Sequence, residues 1–238
     1  MSTVTKRNDS AQKIKKLVVA AMFCALAYAS MFVMRINVLF LTCDLKDAVI
    51  TIAGLLFGPL YSLAIALVVP LLEFSSLGDT GFWGFLMDVL STATFSCTCA
   101  LIYKYKKNLK GAVIGLVSAV LTMTAFMLLF NLFIVPLYTP DYTTAKVAAM
   151  VPKFFLPFNL TKGFLNAAFV LILYKPVSSA MKAARVLPRS VMENSADDGE
   201  KKKGIMFSLM VSLAGAVVVA LCFFVFFVVL KGSFSLVG

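Results

Sequence analysis

Apolar residues fall into seven segments along the chain, separated by short polar or basic stretches. The segments cover residues 17–34, 47–57, 59–75, 82–103, 111–135, 156–174 and 205–230. Most are close to the roughly 20 residues that a helix needs to cross a bilayer. The second and third are short and meet at Gly58-Pro59, where proline disfavours helix at the preceding residue. The pattern predicts an all-α integral membrane protein with a tight break between two of its helices.

Composition supports the membrane class and narrows the chemistry. Hydrophobic residues make up 61% of the chain and charged residues only 14%, so a soluble fold would expose too much apolar surface. The sequence contains no histidine, which removes the usual imidazole acid or base and the commonest metal ligand. Four of the five cysteines lie in apolar segments, and Cys97-x-Cys99 is weak support for a redox or metal site.

Lysine and arginine positions predict the topology. Five basic residues precede the first segment, four lie within 104–110 and seven within 175–203, whereas the alternate loops hold few. Basic loops stay in the cytoplasm, so the N-terminus is predicted to be cytoplasmic. The first segment lacks a signal-peptide cleavage site and is predicted to remain as a span. The C-terminus and the loops at 35–46, 75–81 and 136–155 then face outward, and the net charge of +11 requires no nucleic acid.

The sixth apolar segment carries three polar side chains on one helix face. Asn159, Lys162 and Asn166 are spaced by three and four residues, so they fall within an arc of roughly 60°, with Gly163 beside them. An ammonium group at bilayer depth costs on the order of 3 kcal/mol or more. We therefore expect this face to meet a counter-charge, a cavity or a ligand.

Other polar residues lie near the predicted outer ends of the helices. Asp44 and Asp47 either cap the helix that follows them or contact a ligand, and the two roles are compatible. Glu73 fits an interfacial position as well as a functional role. Asp88 lies two turns into its segment, which favours ion pairing or ligand contact. Asn131 either joins two helices by hydrogen bonding or contacts a ligand.

Small residues form a stripe on the first predicted helix. Ala21, Ala25 and Ala29 recur every four residues, so they share one face. In lipid, small residues at this spacing let another helix approach closely. The stripe therefore predicts a helix-packing surface, for a partner either within the chain or outside it.

A series of motifs runs in order along the chain. After the alanine stripe come Phe40-Leu-Thr42-x-Asp44-x-x-Asp47, Gly54-Leu-Leu-Phe-Gly58-Pro59, Gly84-Phe-Leu-Met87, Asn131 with Pro136 and Tyr138, and Asn159-x-x-Lys162-Gly163-x-x-Asn166. Together they resemble the riboflavin-specific substrate-binding (S) subunits of energy-coupling factor transporters over about residues 14–184. The chain departs from that pattern at Cys43 and Leu45, where an aromatic residue and a proline are expected, and in having a seventh apolar segment.

The resemblance implies a fold and a ligand. The fold is a six-helix transmembrane bundle of the S-component type, with one additional C-terminal transmembrane helix. The ligand is riboflavin, with FMN or another flavin or vitamin as the alternative, carried as cargo with no catalytic cofactor and no metal. The implied ligand-binding residues are Leu39, Phe40, Leu41, Thr42, Asp44, Asp47, Glu73, Gly84, Asp88, Asn131, Asn159, Lys162 and Asn166.

Each part of this implied site suits an uncharged flavin. The three amides of the set offer donors and acceptors to the ring edge and the ribityl hydroxyls. Lys162 is expected to donate to a ring carbonyl or a hydroxyl, with its charge balanced by Asp47, Asp88 or Glu73. Residues 39–41 are expected to give apolar cover, and the loop that carries them to act as a lid.

The resemblance also implies partners. The alanine stripe would dock on a coupling transmembrane subunit driven by two ATPase subunits, in the cell membrane of a prokaryote. The chain contains no G-x-x-x-x-G-K-[ST] motif, so ATP hydrolysis is expected on another polypeptide. A facilitator or an ion-coupled carrier would lack the motif too. A small intramembrane lipid-modifying enzyme is the alternative from another class, although its usual cluster of carboxylates or nucleophile beside a base is not apparent.

The sequence divides into five predicted regions. Residues 1–13 form a cytoplasmic tail and residues 14–184 the substrate-binding membrane domain. Residues 185–204 form a basic, flexible cytoplasmic linker, with Pro188 and a patch of serine, aspartate and glycine at 195–199. Residues 205–231 form the additional transmembrane helix, and residues 232–238 a short C-terminal tail.

Overall fold

The computed structural model describes residues 2–39, 41–77, 81–139, 141–184 and 201–234, which form a helical bundle with a small sheet. In chain order the elements are α1 (Ser2–Val33), β1 (Arg35–Val38), β2 (Leu41–Asp44), α2 (Lys46–Phe57), α3 (Pro59–Leu77), α4 (Gly81–Tyr105), α5 (Leu109–Tyr138), α6 (Thr144–Met150), a first π-turn (Val151–Phe155), α7 (Leu156–Ala183), α8 (Lys201–Phe224), a second π-turn (Val225–Val229) and β3 (Ser233–Phe234). α1 begins well ahead of the predicted first span, and residues 185–200 of the predicted linker lie outside the description.

Within the described ranges, five stretches are long and apolar enough to cross a membrane. They are Ile14–Val33, Pro59–Ser76, Gly81–Tyr105, Lys110–Leu137 and Thr144–Ala183. α2 has 12 residues, about 18 Å of helix, and nearly all of them are buried, so it lies inside the bundle rather than spanning alone. α8 contributes the shorter apolar stretch Leu213–Val229. The all-α membrane class is confirmed. The second of the seven predicted segments is shorter than a full span, whereas the seventh lies in a helical stretch over 201–229.

The predicted break at Gly58-Pro59 is also confirmed. α2 ends at Phe57 and α3 begins at Pro59, a first-turn position where the missing N–H is tolerated. Gly58 has a φ of 102°, which favours glycine because side chains are strained there. The two helices pack closely, since a Cβ on Gly54 would lie 2.8 Å from the Cβ of Ser62. The break therefore folds α3 back against α2.

The segment predicted as a loop over 35–46 is a β-hairpin. β1 pairs antiparallel with β2, and Arg35 lies opposite Asp44. Ile36 and Val38 are buried, as the alternation of a half-buried strand requires. Four residues of alternation beside long apolar helices are too few to distinguish a strand from a loop by sequence. The prediction of a loop was wrong. The alternation of the two strands decides which side chains of this segment face the bundle.

The chain returns to this hairpin after α8. β3 pairs antiparallel with β1, with Ile36 opposite Phe234 and Asn37 opposite Ser233, which gives the strand order β2-β1-β3. The pairing puts the hairpin and the described C-terminal end of the chain on one side of the bundle. The topology predicted from the basic residues requires the same arrangement.

The loop predicted over 136–155 is largely helical. α5 extends into it, and α6 with the first π-turn fills most of the remainder. Thr143 begins α6, and Val147 and Phe155 pack against Val135 in a small apolar core. Pro136 lies inside α5 near its C-terminal end, and Pro152 lies in the first turn of the π-turn, where proline is tolerated. The prediction of a loop was therefore wrong here too.

A second core joins the hairpin to the end of the bundle. Its buried residues include Ile36 and Val38 of β1, Phe158 of α7, Cys222 of α8 and Phe226 of the second π-turn. The main core lies between α1, α2, α3, α4, α5 and α7. The end of α8 and the second π-turn are thus packed into the molecule at the end where the hairpin lies.

Candidate functional site

A cavity of about 70 Å³ lies between the hairpin and helices α4, α5 and α7. It is lined by Leu41, Thr42, Gly84, Met87, Asp88, Ser91, Met127, Asn131, Phe158, Asn159 and Lys162. The lining mixes apolar walls with a few polar groups, which is the usual make-up of a small-molecule site. Seven of the thirteen predicted ligand contacts lie here: Leu41, Thr42, Gly84, Asp88, Asn131, Asn159 and Lys162.

A larger cavity, of about 260 Å³, lies between α5, α7 and α8. Its lining is formed by valine, leucine, phenylalanine, alanine and glycine, for example Val117, Phe164 and Gly215. Such a lining offers no side-chain hydrogen bond to orient a polar ligand. We therefore place the candidate site in the smaller, polar cavity.

Two buried side chains of the polar cavity have an unpaired oxygen. The Nδ2 of Asn131 donates to the backbone oxygen of Met127 at 2.7 Å, while its Oδ1 has no hydrogen-bond partner. The Oγ of Ser91 also has none. Asn131 is 0% exposed and Ser91 is 2% exposed. Buried polar atoms are almost always paired, because leaving one unpaired costs roughly 1–3 kcal/mol. The Oγ1 of Thr124, outside this lining, is unpaired too, so it is their position in the cavity wall that makes these two oxygens acceptors for a ligand.

α7 supplies an amide and an ammonium group to the same cavity. The Nδ2 of Asn159 donates to the backbone oxygen of Phe155 at 2.8 Å. The Nζ of Lys162 lies 3.6 Å from the Oδ2 of Asp47. An ammonium group has three donors, so this one ion pair leaves Lys162 able to donate to a ligand. The cavity thus offers both acceptors and donors.

Asn166 shares the α7 face with Asn159 and Lys162 but does not line the cavity. Its Oδ1 accepts a hydrogen bond from the backbone nitrogen of Ala48 at 3.0 Å, and its Nδ2 donates to the backbone oxygen of Lys162 at 3.2 Å. Ala48 lies in the first turn of α2, where backbone N–H groups lack intrahelical partners. We therefore assign Asn166 to holding α2 against α7 rather than to contacting the ligand.

Lys46 is the centre of a buried ion network behind the cavity. Its Nζ lies 3.2 Å from the Oδ2 of Asp44 and 2.9 Å from the Oδ2 of Asp88, and it also pairs with Glu73. Arg35 pairs with Glu73 as well, at 3.4 Å. The Lys46 side chain is fully buried. An isolated buried charge would be very costly, so each ion here depends on the others.

The structure distributes the predicted counter-charges between two lysines. Of the three partners that the sequence offered for Lys162, Asp47 is the one that pairs with it. Asp88 and Glu73 pair with Lys46 instead. Asp88 also lines the cavity, so it joins the network to the candidate site.

The predicted capping of α2 by its aspartates takes a different form. The N-cap residue is Leu45, which makes no capping hydrogen bond through its side chain. Asp44 instead accepts from the backbone nitrogen of Lys46 at 3.1 Å. Asp47 accepts from the Oγ1 of Thr92 at 2.6 Å. Asp44 thus satisfies one first-turn amide, whereas Asp47 ties α2 to α4.

The charges around Asp44 keep its carboxyl ionised. Complete burial by itself would raise the pKa of Asp44. The positive charges of Lys46 and Lys162, with the hydrogen bonds from Lys46, outweigh that effect and lower the pKa below its usual value. The network therefore contains a carboxylate at this position near neutral pH.

The hairpin tip contributes less cover than the sequence predicted. Leu39 lies in the turn with a φ of 56° and is 66% exposed, so it does not lie over the cavity. Leu41 and Thr42, on β2, do line it. Phe40 lies outside the described residues.

Sequence reasoning missed Ser91 and the role of Lys46. Gly84, Asp88 and Ser91 follow one another by four and three residues, so they share one face of α4 toward the cavity. That spacing was a usable signal, but a serine in an apolar helix was given no role. Lys46 lies between Asp44 and Asp47 in the sequence, but no local pattern indicates that its side chain is buried.

The alanine stripe lies on the outward face of α1. Ala21, Ala25 and Ala29 are exposed, whereas Phe23 and Ala27 on the opposite face are buried in the main core. Within the described part of the chain the stripe is therefore not covered by another helix. It is available to lipid or to a separate protein.

Comparisons with known proteins agree with this arrangement. The family of substrate-specific components of energy-coupling factor (ECF) transporters matches residues 15–178. The riboflavin transporter RibU of Staphylococcus aureus (strain TCH60) is 30% identical over 186 residues, covering 74% of this chain and 97% of the relative. The riboflavin transporter FmnP of Bacillus subtilis (strain 168) is 28% identical over 178 residues, covering 68% and 92%.

A solved structure of the S component of a bacterial ECF transporter has a similar fold. It is 28% identical, with a TM-score of 0.60, and the match covers 71% of this chain and 99% of that one. The family match ends within α7. α8 and β3 therefore lie beyond it.

Proposed function

The chain belongs to the substrate-specific components of ECF transporters, and from this premise we propose that it binds riboflavin and delivers it to an ATP-driven coupling module. It is a transporter component rather than an enzyme. The proposed boundaries of the binding domain are residues 14–184. The two riboflavin transporters among its relatives support the choice of ligand.

One observation in the site carries this proposal. The unpaired Oδ1 of Asn131 shares a polar cavity with the Nζ of Lys162. An uncharged flavin has a ring edge that both donates and accepts hydrogen bonds, and hydroxyls that do the same. Asn131 and Ser91 would accept from it, while Lys162 would donate to it, with Phe158 and Met127 as apolar walls.

The cavity also supports the proposal that the hairpin moves. The hairpin is the smallest element of the wall, and β2 carries Leu41 and Thr42 into the lining. We therefore propose that the β1–β2 hairpin as a whole acts as the lid, a role that the sequence analysis gave to the loop carrying residues 39–41.

The proposed orientation is a cytoplasmic N-terminus in the cell membrane of a prokaryote. The basic residues of 104–110 and of 175–203 favour the cytoplasmic side for the end of the bundle away from the hairpin. The cavity then opens toward the outer face, where a nutrient would be captured.

The proposed partners are a coupling transmembrane subunit, two ATPase subunits and the lipid bilayer. The exposed alanine stripe of α1 suits close helix packing with the coupling subunit. Ala25→Trp is expected to leave riboflavin binding intact and to abolish uptake in cells that contain the module, because the ring would hold the partner away. Leu121→Trp, on an exposed face of α5, is the control. Normal uptake by Ala25→Trp would exclude this docking surface.

Purified protein tests the ligand directly. Riboflavin fluorescence is expected to be quenched on titration, with one flavin bound per chain. FMN, tested in parallel, decides whether a phosphorylated flavin is accepted. A protein that quenches neither flavin would contradict the proposal and favour another vitamin, or a lipid-modifying enzyme if it altered added lipids.

A further inference from the structure

The C-terminal segment, defined as residues 213–234, packs against the hairpin that forms part of the cavity wall. We propose that this segment is a positioning element for the ligand site: it holds the hairpin against the cavity and slows the release of riboflavin. The inference rests on the riboflavin binding proposed above and adds residues that lie beyond the region shared with the family, which ends at residue 178.

β3 completes a three-stranded sheet with the hairpin. It pairs with β1, which pairs in turn with β2, the strand that carries Leu41 and Thr42 into the cavity. An isolated two-stranded hairpin is only marginally stable, and a third strand adds backbone hydrogen bonds and covers an open edge. A hairpin paired with β3 should therefore open less often than one without it.

Phe226 connects the segment directly to the cavity wall. It is fully buried in the second π-turn, with its ring edge-to-face on Phe158 at a centroid distance of 5.8 Å. Phe158 lines the cavity. Edge-to-face aromatic contacts add stabilisation beyond the area they bury. Phe226 therefore supports both Phe158 and, through the shared core, the buried residues of β1.

Gly232 and Lys231 turn the chain from the second π-turn into β3. The N–H of Gly232 donates to the backbone oxygen of Phe226 at 2.9 Å. A Cβ on Gly232 would lie 3.0 Å from the Cγ2 of Val38 and 3.2 Å from the Cγ2 of Ile36, so β3 approaches β1 as closely as glycine allows. Lys231 has a φ of 52°, which is unfavourable for a side chain other than glycine.

The first test compares two phenylalanines of the same segment in the full-length chain. Phe226→Ala is expected to release riboflavin about tenfold faster than the unmodified protein, since mutational effects on a closed site fall mainly on dissociation. Phe224→Ala removes an equal ring that is 59% exposed, so its release rate should stay unchanged. Equal rates for the two variants would overturn the inference.

The second test works in the opposite direction and does not depend on destabilising the protein. Lys231→Gly removes the unfavourable φ while keeping the turn, so riboflavin release should slow by about threefold. Lys231→Ala removes the same charge but keeps the strain, and should show no slowing. Release from Lys231→Gly that is as fast as from the unmodified chain would contradict the proposed role.

Hydrogen exchange without ligand separates this inference from the proposed function. Amides of residues 35–38 and 41–44 should exchange faster in Phe226→Ala than in Phe224→Ala. Faster exchange with no riboflavin binding by any variant would refute the proposed ligand but support the positioning role. Riboflavin binding with equal exchange and equal release rates would refute the positioning role alone.

Discussion

Two groups of buried polar residues lie side by side in this protein, and they differ in whether their partners lie within the chain. Around Lys46, carboxylates and cations pair with one another across β1, β2, α2, α3 and α4. Around the cavity, Asn131 and Ser91 each keep an oxygen without a partner. The paired charges hold helices in place, although the Nη1 of Arg35 has no partner. The unpaired oxygens of Asn131 and Ser91 lie in the cavity wall, where a ligand would pair with them.

Lys162 and Asp88 lie at the border between these two groups. Each takes part in an ion pair and also lines the cavity. Changes at either residue should therefore affect stability and binding together. A substitution at a residue that belongs only to the ion network should affect mainly stability. A substitution at a residue that belongs only to the cavity should affect mainly binding.

The largest effect is expected at the centre of the network. Lys46→Met leaves three carboxylates without their shared cation and should lower the free energy of unfolding by roughly 3–5 kcal/mol. Denaturant unfolding in detergent measures the change. Lys153→Met, at an exposed lysine, is the matched control and should stay within about 0.5 kcal/mol of the unmodified protein. Equal stabilities for both variants would show that the network contributes little.

Lys162 belongs to both groups, so Lys162→Met should lower both the free energy of unfolding and the riboflavin affinity, each by about 1–3 kcal/mol. The stability loss arises because Asp47, which is 1% exposed, keeps its hydrogen bond from Thr92 but loses its counter-charge. Adding Asp47→Asn removes that orphaned charge while keeping an acceptor for Thr92. The double variant should recover stability but not affinity. Recovery of affinity would mean that Lys162 does not contact the ligand.

The smallest effect on binding is expected at Asn166, although the sequence placed it among the ligand contacts. Asn166→Ala leaves the backbone N–H of Ala48 unpaired and should reduce the free energy of unfolding by about 1–3 kcal/mol. Riboflavin affinity, measured well below the unfolding temperature, should change by less than about threefold. A large loss of affinity at unchanged stability would show that Asn166 contacts the ligand.

The sequence predicted well what depends on local pattern. Apolar length gave the membrane class, Gly58-Pro59 gave the helix break, and helical spacing brought Asn159 and Lys162 to one face. The same spacing could not separate Asn166 from them. Its partner is the backbone nitrogen of Ala48, which lies 118 positions away and is invisible to any periodicity.

What the sequence missed or left open has the same origin. β1 pairs with β2 beside it and with β3 almost 200 positions later, and strands of four residues are too short to have a recognisable pattern of their own. The choice of Asp47 rather than Glu73 as the counter-charge of Lys162 depends on how α2, α3 and α7 pack. Unpaired atoms such as the Oγ of Ser91 can be identified only once all their neighbours are placed.

Riboflavin is expected to satisfy the unpaired acceptors of the polar cavity. Quenching of riboflavin fluorescence by the unmodified protein and by Asn131→Ala tests it most directly. The unmodified protein should bind one flavin per chain, and Asn131→Ala should bind it at least about tenfold more weakly, which is roughly 1.4 kcal/mol, with unfolding little changed. Equal affinity for the two proteins would show that Asn131 does not contact the flavin, and no quenching by the unmodified protein would show that riboflavin is not the ligand.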